Sequence, residues 1–234
     1  MEQLEEHSWR AAARAAFPVT IPVLTGYLCL GMAYGLLMQA KGYGPLWSVL
    51  MSALVYGGSI QYVAITFLTT AFDPVQAFVL ALMVNARHMF YGLSMLEKYR
   101  GTGMARPFLV CTLTDETYSL LATLEPPSGV SRQRFYTAVS LWDYLYWVIG
   151  TALGGFLGML VTFDTTGMDF ALTALFVVLF LEQWKVPENR PAAVIGLACT
   201  ALSLTLFGAT NLVIPAMAMI LTVLLGQRRR LLCA

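Results

Sequence analysis

The sequence predicts an all-α protein, a polytopic transmembrane helical bundle of about seven or eight hydrophobic segments. Composition supports this fold class. Hydrophobic residues make up 58% of the 234 residues and charged residues only 12%, whereas a soluble domain carries about 25% charged residues. The mean hydropathy is +0.69. Because a spanning helix needs roughly 20 residues, the chain has room for these spans and for no separate soluble domain.

Short connections that carry Gly, Pro, Asp and most basic residues divide the chain into about eight apolar segments. These segments are 17–40, 45–71, 74–96, 107–124, 135–163, 168–184, 191–208 and 211–226. We expect them to form one transmembrane domain over 17–226. A short amphipathic segment, 1–16, precedes this domain, and a basic cytoplasmic tail, 227–234, follows it.

The N-terminal segment has acidic residues, including Glu2 and Glu5, where a signal peptide would carry basic ones. This pattern indicates that the N-terminus is retained. Glu6, Arg10 and Arg14 follow the i, i+4, i+8 spacing of one helix face. We therefore expect a short helix on the membrane surface before the first span.

The second apolar segment is interrupted by the sequence Tyr-Gly-Gly-Ser-Ile-Gln, which contains Gly57, Gly58, Ser59 and Gln61. A Gly pair inside a membrane segment allows the helix to unwind where a cavity or neighbouring helix satisfies the freed backbone groups. Half-helix N-termini exposed in this way hold charged substrate groups in many transporters. Simple helix packing by the two glycines is the alternative.

The third and fourth apolar segments carry ionisable residues in their apolar stretches. Asn85, Arg87 and His88 lie near the middle of 74–96, and an unpaired guanidinium is not tolerated in hydrocarbon. The best partners for Arg87 are the acidic residues of the next segment, which carries Thr114, Asp115 and Glu116. A structural ion pair and direct substrate contact are both compatible with this pattern. His88 can carry a proton near neutral pH or serve in helix packing.

The fifth apolar segment carries Gly150, Gly154 and Gly158 at intervals of four residues, and Gly31 and Gly35 repeat that spacing in the first segment. Such glycines let two helix backbones approach closely in lipid. We expect packing within the chain more than an interface with a partner.

The same segment contains Asp143 among Trp and Tyr residues. An aromatic belt at the membrane interface explains this residue, so the sequence assigns it no functional role.

Basic residues in the connections distinguish two topologies. If every segment crosses the membrane, Lys41 and the basic cluster at 98–106 lie outside the cell. If 45–71 and 107–124 are broken or re-entrant, only Lys41 lies outside, and the positive-inside rule favours this second arrangement. Both arrangements place the N- and C-termini in the cytoplasm.

Several functions are excluded by the composition and the motifs. A net charge of +1 is unsuited to binding nucleic acid. With two histidines, His7 and His88, and no metal-binding spacing, we expect neither a metal nor a cofactor. The neighbouring residues Asp115 and Glu116 diverge by about 100° on a helix and do not form a catalytic dyad. We therefore expect no enzyme activity.

The motifs taken together resemble the AzlC family, the large subunit of a bacterial branched-chain amino acid exporter. They are Gly57-Gly58-Ser59-Ile60-Gln61, Asn85-Ala86-Arg87-His88, Thr114-Asp115-Glu116 and Met168-Asp169-Phe170-Ala171-Leu172, in this order. Two positions depart from the family pattern, since Met168 replaces a leucine and Thr173 a proline. The resemblance implies export of valine, leucine, isoleucine and also methionine. It also implies a small membrane subunit of the AzlD type as partner and a location in the bacterial inner (plasma) membrane.

The leading hypothesis is a secondary transporter subunit that binds a zwitterion with an aliphatic side chain. Arg87 or the backbone N–H groups of the helix break would bind the carboxylate, and Asp115, Glu116 or Asn85 the ammonium group. No nucleotide-binding motif is present, so an ion gradient would drive transport, with His88, Asp115 or Glu116 relaying a proton. The alternative is an ion or small-solute channel lined by Asn85, Gln61 and the acidic pair. Assembly into a homo-oligomer is compatible with either hypothesis.

Overall fold

The computed structural model describes residues 8–69, 73–160, 170–185, 187, 190–208 and 212–232. These residues form helices joined by short connections, with no strand among them. The α-helices are α1 (Trp9–Ala40), α2 (Pro45–Leu54), α3 (Ser59–Thr69), α4 (Pro74–Ser94), α5 (Arg106–Cys111), α6 (Asp115–Thr123), α7 (Arg132–Leu160), α8 (Phe170–Lys185), α9 (Arg190–Phe207) and α10 (Val213–Leu232). The predicted all-α class is confirmed for this part of the chain.

The helix α1 is longer than the first predicted segment. It begins at Trp9, where the Arg10 backbone N–H donates to the hydroxyl of the N-cap residue Ser8 at 3.2 Å. The helix then continues to Ala40 and includes Pro18 and Pro22. Residues 9–16 are therefore the first turns of a long helix, where the sequence predicted a separate surface helix. Residues 1–7 lie outside the described residues.

The helices α1 and α7 pack closely against each other because glycines line their contact. A Cβ atom added at Gly31 would lie 2.9 Å from the backbone oxygen of Trp147, and one at Gly150 would lie 2.9 Å from that of Tyr27. Real Cβ atoms are not found so close to other atoms, so only glycine allows this approach. The predicted packing within the chain is confirmed.

Both of the segments that the sequence predicts to be interrupted are broken in the structure. Segment 45–71 forms α2 and α3, with a break at residues 55–58, and segment 107–124 forms α5 and α6, with a break at residues 112–114. The breaks place two new helix N-termini inside the first unit described below. Whether the two segments cross or re-enter the membrane stays a prediction.

The chain divides into two compact units, Met1–Ala171 and Leu172–Ala234. A hydrophobic core in the first unit joins α1, α5, α6, α7 and the turn after α4. Its fully buried residues include Ala16, Tyr99, Leu109, Leu121 and Tyr136. This core fixes the beginning of α6 and the first half of α7, and both carry candidate site residues.

The second unit holds most of α8 and all of α9 and α10. The hydroxyl of Ser203 in α9 donates to the backbone oxygen of Leu212 at 3.0 Å, and Gly208 ends the turn after α9 with a φ of 73°. The helix α10 extends to Leu232, so the predicted tail 227–234 begins inside a helix. Residues 233–234 lie outside the described residues.

Two of the described helices, Trp9–Ala40 and Arg190–Phe207, are long and apolar enough to cross a membrane by length and composition. Large apolar side chains are also exposed on the outside of each unit, for example Leu54, Leu160 and Leu206. Apolar surface of this kind is typical of contact with lipid or another protein. The predicted count of seven or eight spans stays a prediction.

Candidate functional site

The first helix break has an unusual backbone that its sequence explains. Tyr56 and Gly58 adopt φ values of 41° and 44°, a region that glycine tolerates and tyrosine rarely adopts. The Gly57 backbone N–H, released by the break, donates to the side-chain oxygen of Gln61 at 3.3 Å. The Gly pair therefore does what the sequence predicted: it allows the helix to unwind.

Gln61 is completely buried and holds this break against α7. Its side-chain oxygen also accepts from the indole N–H of Trp147 at 2.8 Å, and its amide nitrogen donates to Ser52 at 2.9 Å. The Ser52 hydroxyl lies 2.8 Å from that of Thr151. Because these contacts use both ends of the amide, they give Gln61 a bracing role. Its place in a transport pathway stays a prediction.

The second helix break has an N-cap and acidic residues that stabilise the start of α6. The Thr114 hydroxyl accepts from the Thr117 backbone N–H at 3.3 Å, which caps the helix. Asp115 and Glu116 occupy the first turn, where the helix dipole favours negative charge. This arrangement fixes both carboxylates at the end of the helix that faces the break.

Arg87 in the middle of α4 connects the two breaks. Its Nη2 atom lies 2.8 Å from Asp115 Oδ2 and donates to the Ser59 hydroxyl at 3.2 Å. Ser59 is the first residue of α3 and Asp115 the first residue of α6. One residue from each of three sequence motifs therefore meets at a single ion pair, as the sequence predicted for Arg87 and Asp115.

Two polar atoms of this ion pair, Arg87 Nε and Asp115 Oδ1, are buried and have no hydrogen-bond partner in the described part of the chain. The side chains of Arg87 and Asp115 as a whole are 32% and 19% exposed. Buried polar atoms nearly always have partners in native proteins. The ion pair therefore keeps one unused donor and one unused acceptor among the described residues.

Asn85 and His88 lie on α4 close to Arg87 in sequence, and both are half-buried. The His88 ring meets the ring of Tyr91 edge-on, with 5.7 Å between centroids. Tyr91 in turn stacks on Tyr118 of α6 at 4.3 Å. His88 is thus part of an aromatic contact between α4 and α6.

Glu116 takes part in different contacts from its neighbour Asp115. The Tyr27 hydroxyl of α1 donates to Glu116 Oε2 at 2.8 Å and lies 2.6 Å from the Thr114 hydroxyl. The two acidic residues therefore face different groups, as their angular separation on a helix requires. Asp115 binds the arginine, and Glu116 binds a tyrosine.

The interpretation of Asp143 as part of an interfacial aromatic belt is wrong. Its side chain is 0% exposed, and Oδ2 accepts from the Thr117 hydroxyl at 2.7 Å. The sequence contained a signal for this burial, because Asp143, Trp147, Gly150 and Gly154 follow the three-and-four spacing of one helix face. The glycines on that face pack against α1, so Asp143 also points into the protein.

No group of three or more His, Cys, Asp or Glu side chains suitable for a metal ion occurs in the described part of the chain. Residues Met168 and Asp169 of the fourth motif lie outside it, and nothing is assigned to them.

Apolar helices, two helix breaks and a half-buried arginine–carboxylate pair are together the features of a helical membrane protein with a polar site. The family model of the AzlC protein matches residues 22–161. The chain is 46% identical to the branched-chain amino acid transport protein AzlC of Bacillus subtilis, over 94% of this chain and 87% of that protein. The chain belongs to the AzlC family, and the resemblance drawn from its motifs is confirmed.

More distant relatives are also membrane proteins. An uncharacterised membrane protein of Helicobacter pylori is 38% identical over 97% of this chain and 100% of its own length. The inner membrane protein YgaZ of Escherichia coli is 25% identical over 76% of each chain. No solved structure matches this chain.

Proposed function

We propose that this chain is the membrane subunit of a secondary transporter that exports branched-chain amino acids: leucine, isoleucine, valine and also methionine. The main support is the meeting of Arg87 with Asp115 and Ser59 at the N-termini of two broken helices. The printed name of the Bacillus subtilis relative supports the same substrate class.

The unpartnered atoms of the ion pair suit an amino acid zwitterion. A substrate carboxylate accepts a hydrogen bond from Arg87 Nε and is favoured by the helix N-terminus at Ser59. A substrate ammonium group donates to Asp115 Oδ1. A zwitterion is neutral overall, so its binding leaves the charge of the site unchanged. The structural role of the Arg87–Asp115 pair and its binding role are compatible.

The other predicted site residues surround this pair in the proposal. Gly57 and Gly58 allow the break, Thr114 caps α6, and Gln61 braces the break. Asn85 and His88 lie on α4 beside Arg87.

The mode of transport and the assembly also belong to this proposal. An ion gradient drives export because the sequence has no nucleotide-binding motif. A small integral-membrane subunit of the AzlD type acts with the chain, which can also form a homo-oligomer. The protein is not an enzyme. It lies in the inner membrane with both termini in the cytoplasm, consistent with the positive-inside rule.

The test is counterflow of labelled leucine into proteoliposomes loaded with unlabelled leucine. The vesicles contain the purified chain with and without the small subunit. We expect saturable leucine uptake. Isoleucine and valine should inhibit this uptake by competition, and aspartate and lysine should not. Absence of counterflow in both preparations would contradict the proposal. An ohmic current without saturable exchange would support the channel instead.

A further inference from the structure

Three hydroxyl groups form a hydrogen-bonded chain between two carboxylates in the first unit. The Tyr27 hydroxyl lies 2.8 Å from Glu116 Oε2 and 2.6 Å from the Thr114 hydroxyl. The Thr114 hydroxyl donates to that of Thr117 at 3.1 Å, and Thr117 donates to Asp143 Oδ2 at 2.7 Å. These distances are those of ordinary hydrogen bonds or slightly longer. The chain is therefore continuous from Glu116 to Asp143.

Among the described residues, Asp143 has no positively charged partner at its end of the hydroxyl chain. It is 0% exposed, and its Oδ1 atom is buried and accepts no hydrogen bond from a residue that the structure describes. The titratable groups that face it are Glu116 of α6, Tyr27 of α1, Tyr56 of the first break and Tyr146 of its own helix. None of them is basic. A buried carboxylate without a counter-charge is strongly unfavourable, so this position needs a cation.

Asp115, the other carboxylate beside this chain, already has a counter-charge. The Arg87 guanidinium lies 2.8 Å away and leaves no need for a proton. Glu116, by contrast, is held by the Tyr27 hydroxyl, which itself belongs to the chain. Asp143 and Glu116 are therefore the two ends between which a proton can move.

We propose that Asp143 carries the proton that drives transport, and that Glu116 exchanges this proton with it through Tyr27, Thr114 and Thr117. The proposal rests on the proposed ion-coupled transport and names the ion. In this proposal, Asp143 binds the proton and does not contact the substrate.

The transfer is balanced at every oxygen. Protonated Glu116 gives its proton to the Tyr27 oxygen, and Tyr27 passes its own to Thr114. Thr114 passes a proton to Thr117, which gives one to Asp143 Oδ2. Each O–H bond that breaks is matched by one that forms, so the hydroxyl groups end neutral and one proton has moved. In the structure, Thr114 already donates to Thr117 and Thr117 to Asp143, the direction that this transfer requires. Tyr27 donates to Glu116, and its O–H group turns toward Thr114 when Glu116 is protonated.

Infrared difference spectroscopy tests the proton site without any substrate. Spectra of the purified chain in lipid are compared between acidic and alkaline buffer. We expect a carboxylic acid C=O band in the wild type that Asp143→Asn removes. The matched control is Ser140→Ala, because the Ser140 hydroxyl is buried on the same helix as Asp143 but makes no hydrogen bond to the described residues. This variant should keep the band. A spectrum of Asp143→Asn identical to that of the wild type would overturn the proposal.

Transport measurements test the relay itself. In proteoliposomes with a pH gradient, we expect Thr117→Val to slow proton-driven leucine transport by about a hundredfold, within the range that positioned proton-transfer groups contribute. Leucine counterflow should remain, and Thr117→Ser should keep both activities. If Thr117→Val carried out proton-driven transport at the wild-type rate, the relay would be overturned. Leucine transport by the wild type that a sodium gradient alone can drive would also overturn it. Absence of wild-type counterflow would refute the proposed function. The infrared result would still decide whether Asp143 binds a proton.

Discussion

Arg87 joins two helix N-termini by contacting Ser59 on one side and Asp115 on the other. The ion pair is half-buried and uses one nitrogen and one oxygen, and Arg87 Nε and Asp115 Oδ1 have no hydrogen-bond partner among the described residues. A half-buried ion pair of this kind adds little net stability, because the desolvation of both charges offsets their attraction.

Replacing Arg87 by Ala should lower the free energy of unfolding, because Asp115 then remains buried without a counter-charge. We expect a loss of about 2 kcal/mol, below the about 3–5 kcal/mol of a fully buried pair. The expected loss is smaller because the Arg87 and Asp115 side chains are 32% and 19% exposed, so water partly solvates the remaining charge. The measurement is heat unfolding in detergent. The double variant Arg87→Met/Asp115→Leu should recover most of the loss, and failure to recover would contradict this account of the pair.

Replacing Gln61 by Leu should destabilise the first break, because the Trp147 indole N–H and the Gly57 N–H lose their acceptor. Each unsatisfied buried donor costs about 1–3 kcal/mol. The matched control is Gln39→Leu, since the Gln39 side-chain oxygen is buried without a hydrogen bond. Thermal unfolding should show a clear loss for Gln61→Leu and little change for the control. Equal losses would argue against the bracing role.

Sequence reasoning located the residues of the ion pair. In the hydroxyl chain it located Thr114 and Glu116 but not Tyr27, Thr117 or Asp143. Arg87 and Asp115 are charged residues in apolar segments, so the need for a partner was evident from the sequence. Tyr27 and Thr117 are common in membrane helices and gave no such signal. Asp143 was misassigned because its aromatic neighbours in sequence suggested an interface, whereas the helix face that it shares with Gly150 and Gly154 is buried.

At the scale of the elements, the close packing of α1 on α7 positions both Tyr27 and Asp143. Glycines at 31, 35, 150 and 154 permit this approach, and the sequence predicted it from their spacing. The two helix breaks were also predictable, from a Gly pair in one segment and from adjacent acidic residues in the other. The continuity of α1 through residues 9–16 was not, because a change from polar to apolar composition does not by itself end a helix.

Replacing Gly154 by Ala should destabilise the α1–α7 contact. The added Cβ atom would collide with the backbone of Met32, and overpacking of this kind costs about 1–3 kcal/mol. The matched control is Gly26→Ala in α1, where a Cβ atom would meet nothing within 4 Å. Unfolding in detergent should show a loss for Gly154→Ala and no loss for Gly26→Ala. An unaffected Gly154→Ala would contradict the close approach of the two backbones.

The connection between α6 and α7 carries an ion pair whose effect on stability depends on pH. Glu125 Oε1 lies 3.1 Å from Lys98 Nζ, and the hydrogen bond from this ammonium group lowers the pKa of Glu125. A lowered pKa in the folded state stabilises the protein above the pKa of the unfolded chain, and this contribution is lost as the pH falls through the folded pKa.

The stability difference between the wild type and Glu125→Gln should therefore be small at neutral pH and vanish in acid. Melting temperatures measured across that pH range check this expectation. Glu97→Gln, which replaces an exposed carboxylate without an ion pair in the described structure, is the matched control. A difference that grows as the pH falls would contradict the assignment.

At the scale of the whole molecule, membrane residence was predictable from composition, and the polar exceptions to that composition mark the candidate site. Three polar residues far apart in sequence, Ser59, Arg87 and Asp115, meet in the first unit. The number of spans was not predictable to the same degree, because a broken segment has the same composition whether it crosses the membrane or returns to the same side.

The central claim is that the Arg87–Asp115 pair binds the amino acid, and leucine-dependent stabilisation tests it most directly. Ligand binding raises the melting temperature of the protein that binds it. The comparison is between the wild type, Arg87→Met/Asp115→Leu and the control Lys98→Met/Glu125→Gln, which neutralises an ion pair of the connection instead. We predict that leucine raises the melting temperature of the wild type and the control but not that of Arg87→Met/Asp115→Leu. A leucine-dependent rise in this folded double variant equal to that of the wild type would contradict the account.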